Sequence, residues 1–61
     1  MYYILKISTK AFIIVQDNSD IIITSDYKKA TKYNTVGEAM KTASEVNDIL
    51  GTHIVKFESI G

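Results

Sequence analysis

Three runs in this chain, Tyr2 to Ser8, Ala11 to Gln16 and Ile21 to Ser25, read as strands that are apolar on both faces, yet only one segment reads as a helix able to cover a sheet. A sheet buried on one face alone should alternate apolar and polar residues. One helix covers one face. The pattern therefore leaves an apolar face over and implies a partner for it, either a second copy of the chain or another protein.

Period-2 alternation sorts the side chains within each run. In the first, Tyr3, Leu5 and Ile7 share one face, and Tyr2 and Ile4 share the other with Lys6. The short Ser8-Thr9-Lys10 connection makes the first two runs an antiparallel hairpin. Simple alternation through it puts Phe12 and Ile14 with the first set and Ala11, Ile13 and Val15 opposite. Asp17-Asn18-Ser19-Asp20 is a cluster of turn formers, whose short side chains bond local backbone. A third strand, Ile21-Ile22-Ile23-Thr24, should follow. Ser25 to Ala30 reads as a turn or a single short helical turn, and Thr31-Lys32-Tyr33 as a brief edge strand.

The helix has the clearest signals. Thr35-Val36-Gly37-Glu38 has capping-box spacing, with Thr35 set to accept from the Glu38 amide and Glu38 to reach back. The helix should run from about Val36 to Leu50, where Gly51 suits the left-handed residue that ends it. Val36, Ala39, Met40, Ala43, Val46 and Leu50 form one apolar stripe, with Lys41, Ser44, Glu45 and Asp48 turned to water. His53 to Glu58 then reads as a closing strand with Val55 and Phe57 inward. The fold class is α+β: an antiparallel meander of three to four strands, one amphipathic helix packed on one face, and a closing C-terminal strand.

The bulkier set, Tyr3, Leu5, Ile7, Phe12, Ile14, Ile21 and Ile23, should meet the helix together with Val55 and Phe57. Tyr2, Ile4, Ile13, Val15, Ile22 and Ile54 are then left outside as the candidate partner interface, with Ile4, Ile13, Val15 and Ile22 as anchors. The two faces could be exchanged without weakening the surplus. At about 25 cal/mol per Å² and roughly 60–100 Å² apiece, burying four to six such side chains is worth roughly 6–15 kcal/mol before the cost of association. A competing reading is that strand register and bulges spread these residues round the edges, since single exposed apolar residues are ordinary on any surface.

Size favours association. The chain has 61 residues, 46% of them apolar, and reads as a single domain over residues 1–61. Domains this small commonly need disulfides, a metal or oligomerisation. With no cysteine and one histidine, oligomerisation is the remaining route. No run approaches the roughly 18 apolar residues that span a bilayer, and Lys6 interrupts the opening strand where a secretory signal would need a continuous apolar stretch. The expectation is a soluble, cytoplasmic protein with no membrane partner.

Chemistry-bearing patterns are sparse, and the reading is non-enzymatic with no cofactor and no metal. His53 is the sole histidine, which rules out a His-based metal cluster, and it sits at the start of the expected last strand. Asp17, Asn18, Ser19 and Asp20 offer oxygens to calcium, but the order of an EF-hand loop is absent, so turn chemistry accounts for them. Gly37, Gly51 and Gly61 are too far apart for a phosphate loop. Ser8, Ser19, Ser25, Ser44 and Ser59 have no nearby base or nucleophile-elbow context.

One segment suggests nucleic acid. Tyr27-Lys28-Lys29-Ala30-Thr31-Lys32-Tyr33 interleaves lysines with two rings, so that Tyr27 and Tyr33 could stack bases while Lys28, Lys29 and Lys32 meet phosphates. Seven basic residues balance seven acidic ones, and all seven bases are lysines, so there is no attracting field and no arginine for bidentate contacts. The alternative is that these lysines solvate a loop and guard an edge strand, with Tyr27 or Tyr33 closing the bottom of the core.

The order of features resembles that of the small accessory proteins encoded by phages and prophages of low-G+C Gram-positive bacteria. The segments that carry it are an opening "MYYILKI" strand, a hairpin with a polar turn, "TSDYKKATKYNT", a "TVGEAMKTASEVN" helix and a closing "GTHIVKFES" strand. The resemblance covers nearly the whole chain. It implies action by binding in the bacterial host cell, often to block or redirect a host protein or nuclease; joined to the surplus apolar face, the reading is a protein–protein interaction module, homodimeric or docked on a host or phage protein through its spare sheet face or an open strand edge. No catalytic residue carries over from it.

Overall fold

The computed structural model describes residues 1–17 and 20–61. Its elements are β1 (Tyr2–Ser8), β2 (Ala11–Val15), β3 (Ile21–Thr24), a 3-10 turn (Tyr27–Lys29), α1 (Val36–Leu50) and β4 (Lys56–Ile60). The strands form one antiparallel sheet in the order β3-β2-β1-β4, so the expected α+β architecture holds. The closing strand begins at Lys56, three residues later than expected, and Ile54 lies in the connection before it, 53% exposed. The turn expected at Asp17 to Asp20 includes Asn18 and Ser19, which lie outside the described residues.

α1 has the expected bounds. Thr35 is extended, and its hydroxyl accepts from the Glu38 amide at 3.2 Å, satisfying one of the free donors at the helix start. Gly51 ends the helix at φ 67°. There the Gly51 amide donates to the Asp48 carbonyl and the Thr52 amide to that of Asn47, at 3.3 and 2.9 Å, the two bonds of a Schellman closure. Ala39, Ala43 and Val46 are buried. With two alanines in that stripe, α1 packs closely on β1 and β4.

A bulge in β1 decides which side chains α1 meets. Lys6 pairs with Phe12 but Ser8 with Ala11, so Ile7 is an extra residue. One inserted residue exchanges the faces of everything beyond it. Ile13 and Val15, expected on the spare face, therefore lie with Leu5 on the helix side, and Phe12 lies with Ile4 on the other. Ile14 follows Phe12 by alternation. Of the expected helix-side set, Tyr3, Leu5, Ile7, Ile21 and Val55 do join the cluster around Ala39, Ala43 and Val46. Phe57 pairs with Leu5 and sets its ring edge-to-face on Tyr3, with centroids 6.1 Å apart.

The second face is covered by the chain itself. Ile4, Phe12 and Ala30 form a buried cluster with Tyr2 and Ile60 packed against it, and the Tyr27 ring meets Phe12 edge-on at 6.3 Å. Asp26 starts this cover, its carboxylate accepting from the Lys28 amide at 3.0 Å. Thr31 and Tyr33 then reach into the sheet instead of forming an edge strand. Tyr33 exchanges two backbone hydrogen bonds of 2.8 Å with Tyr3, and the Thr31 amide donates to the Ile13 carbonyl at 3.2 Å. The Thr31 hydroxyl accepts from the Val15 amide at 2.8 Å. Residues 31–33 therefore bridge the start of β1 to the end of β2.

Candidate interaction surface

With both faces assigned, the six residues expected to form one partner surface fall apart. Ile4 and Ile13 are fully buried, at 0% exposure, and lie on opposite faces of the sheet. Tyr2 and Val15 are half-buried against those same two clusters. Only Ile22 and Ile54 are exposed, Ile22 on β3 and Ile54 in the loop before β4. The bulge at Ile7 and the cover from residues 26–33 account for the difference, because together they give each apolar face an internal partner.

The lysine and tyrosine segment is divided as well. Tyr27 sits on Phe12, whereas Tyr33 packs with the helix-side cluster. Their rings are held in different clusters on opposite sides of the sheet and make no common platform for bases. Lys28 and Lys29 are exposed. The Lys32 ammonium is engaged: it donates to the Lys28 carbonyl at 3.0 Å and stands over the Tyr2 ring, 5.5 Å from its centroid. Burial raises the Tyr33 pKa above its usual value, Glu45 adds to the rise, and a hydrogen bond with Thr42 opposes it.

An open groove of about 500 Å³ runs between α1 and β4, lined by Met40, Ala43, Asn47, His53, Val55 and Phe57 among others. Asn47 is committed there to structure: its amide donates to the Val55 carbonyl at 3.1 Å and its oxygen accepts from the Val55 amide at 2.9 Å. Among the described residues no three His, Cys, Asp or Glu side chains gather as metal ligands. Among the described residues no helix is long and apolar enough to cross a membrane.

The sheet's two edges differ. On β4, Lys56 and Glu58 place charge along the strand, and Glu58 pairs with Lys6 at 3.4 Å. Charged residues of this kind discourage uncontrolled strand pairing. β3 reads Ile-Ile-Ile-Thr with no charge, proline or bulge, and ends the sheet on the other side. Ile22, on the face away from α1, is 42% exposed, and Ile23, on the helix side, is 57% exposed, where α1 rests mainly on β1 and β4. Alternation alone places Ile23 in the core. What marks it as surface is its place on the terminal strand, which follows from strand order and is not encoded in any local pattern.

The backbone of β3 is also aimed outward. The Gln16 amide donates to the Asp20 carbonyl at 2.9 Å. Hydrogen-bonded and non-hydrogen-bonded pairs alternate along an antiparallel ladder. Ile22 with Ile14 and Thr24 with Phe12 are thus the bonded pairs, and the amides and carbonyls of Ile21 and Ile23 point away from β2. Thr31 reaching Ile13 and Val15 from the β1 side agrees with this phase. Among the described residues none pairs with the outer side of β3.

No family model, curated protein or solved structure matches this chain.

Proposed function

We propose that the chain is a small non-enzymatic protein–protein interaction module that takes up a strand along the outer edge of β3. The observation that carries this reading is the contrast between the two sheet edges, one charged and one left as Ile21-Ile22-Ile23-Thr24 with two isoleucines in water. Adding a strand to such an edge supplies main-chain hydrogen bonds for affinity, while alternate side chains supply selectivity. The partner is a protein of the host or of a phage, which the contact would bind or inhibit, in keeping with the kind of small phage protein that the sequence resembles. Nucleic acid is not a second reading, because Tyr27 and Tyr33 are held in separate clusters and Lys32 is already engaged.

Affinity capture from bacterial lysate with three forms of the chain tests it. Ile23→Lys places a charge on the β3 edge, and Met40→Lys places one beside the α1–β4 groove at a similarly exposed position. Proteins retained by the parent and by Met40→Lys but lost from Ile23→Lys are the expected result. Capture unaffected by Ile23→Lys, or lost only with Met40→Lys, would show that the edge is not the docking element.

A further inference from the structure

Resting on that reading of the β3 edge, we infer that the strand it accepts is β3 of a second copy, paired antiparallel about a dyad through Ile22. The outward amides and carbonyls belong to Ile21 and Ile23, which flank Ile22 symmetrically. A two-fold axis normal to the sheet at Ile22 sets Ile21 opposite Ile23 of the other copy, and Ile23 opposite Ile21. Each such pair exchanges two hydrogen bonds. All four outward-facing donors and acceptors of each edge are then used, whereas a one-residue slip would set them opposite groups that face away.

Charge and shape agree with that register. The strand carries no charge, and the pairing sets Asp20 opposite Thr24, so no like charges face each other across the new ladder. Ile22 meets its own copy on one face, while Ile23 meets Ile21 on the helix side, which removes both exposed isoleucines from water. α1 packs on β1 and β4. β1 lies two strand spacings from the dimer edge, roughly 10 Å, so the two helices stand clear of each other and the product is one continuous eight-stranded sheet. Four residues a side fall short of the roughly 1,000 Å² of a stable interface. The dimer therefore dissociates on dilution, leaving the edge available at low concentration to a longer foreign strand.

The chain has no cysteine, so single cysteines report the register. In a non-hydrogen-bonded antiparallel pair the Cα atoms stand about 4.5 Å apart, within disulfide reach. Ile22→Cys should therefore cross-link to a covalent dimer on mild oxidation. Ile23 of one copy would lie about 9 Å from Ile23 of the other by strand geometry, beyond the reach of a disulfide. Ile23→Cys, though more exposed in the free chain, should stay largely monomeric under the same conditions.

Light scattering on the parent should show apparent mass rising toward that of two chains as concentration increases, equally at low and high salt because no charges meet at the edge. Ile23→Lys should abolish the rise with its circular dichroism unchanged. A parent that is monomeric at every concentration, or cross-linking no faster at position 22 than at 23, would overturn the self-pairing. That failure is distinguishable from failure of edge docking: the first leaves the lysate capture dependent on Ile23, and the second does not.

Discussion

Tyr33 and Tyr3 are joined through their backbones, each amide donating to the other's carbonyl at 2.8 Å, although thirty residues separate them in sequence. This contact holds residues 31–33 against the start of β1, and the Thr31 hydroxyl completes the join to β2 by accepting from the Val15 amide. Thr31→Val keeps the shape and removes the acceptor. The variant should lose about 1–2 kcal/mol of stability in urea unfolding, the cost of a part-buried amide left without a partner. A loss within error of zero would show that water serves Val15 equally well.

Asn47 does comparable work at the other end of the sheet, bonding both the amide and the carbonyl of Val55 with one side chain. Asn47→Leu leaves both backbone groups unpaired beside a buried residue. The expected destabilisation is about 2–4 kcal/mol, with loss of amide-exchange protection at Val55 and in the first residues of β4. Retained protection there would mean that the strand is fixed by its ladder with β1 alone.

Ile13 has no exposed surface and packs with Leu5, Ala39 and Val46. A lysine there must bury an ammonium without a partner or expel it by opening the core. Ile13→Lys should abolish the cooperative unfolding transition, in contrast to Ile23→Lys, which should keep it. If instead the Ile13→Lys chain unfolds cooperatively near the parent midpoint, the assignment of β2's faces is wrong.

Tyr33 gives a pH dependence of defined sign. Its folded pKa is raised, by burial first, above the value of about 10 expected when unfolded. Between those two values the folded chain holds a proton that the unfolded chain has released, so stability is full below about pH 10 and falls as pH rises through the folded pKa. The stability of the parent relative to Tyr33→Phe should decline above pH 10 and be constant from pH 7 to 9. A difference that stays flat to pH 11 would show that the phenol ionises freely in the fold.

Most of the fold was legible because its signals are local. Thr35, Glu38 and Gly51 mark α1 to the residue, β1 shows as an apolar run broken only by Lys6, and β3 shows as a run of three isoleucines between turn formers. The faces of β2 were not legible. They depend on a single bulged residue, Ile7, and nothing in Lys6-Ile7-Ser8 announces that alternation fails there. The cover on the second face was missed for a related reason. Ala30 is buried although it sits among Lys28, Lys29 and Lys32, and in that company a small apolar residue carries too little periodicity to be read as core. The surplus of apolar surface was a real feature of the sequence, but its main partner is residues 26–33 of the same chain. Within the sheet, the outer edge of β3 stays uncovered.

The central position of β1 has a consequence for the newly made chain. This strand precedes the other strands in the chain, yet apart from its short pairing with β2 its partners are residues 31–33 and β4, both made later, and its helix cover comes from residues 36–50. Ile4 and Leu5, two of the most deeply buried side chains, are fully covered only once those later residues have been made. Pairings so distant in sequence form slowly, since loop closure precedes any gain from contact. A nascent or truncated chain ending before Lys56 would leave the β4 side of β1 unpaired, and it is in that interval, before β4 closes on β1, that the protein is most exposed to aggregation.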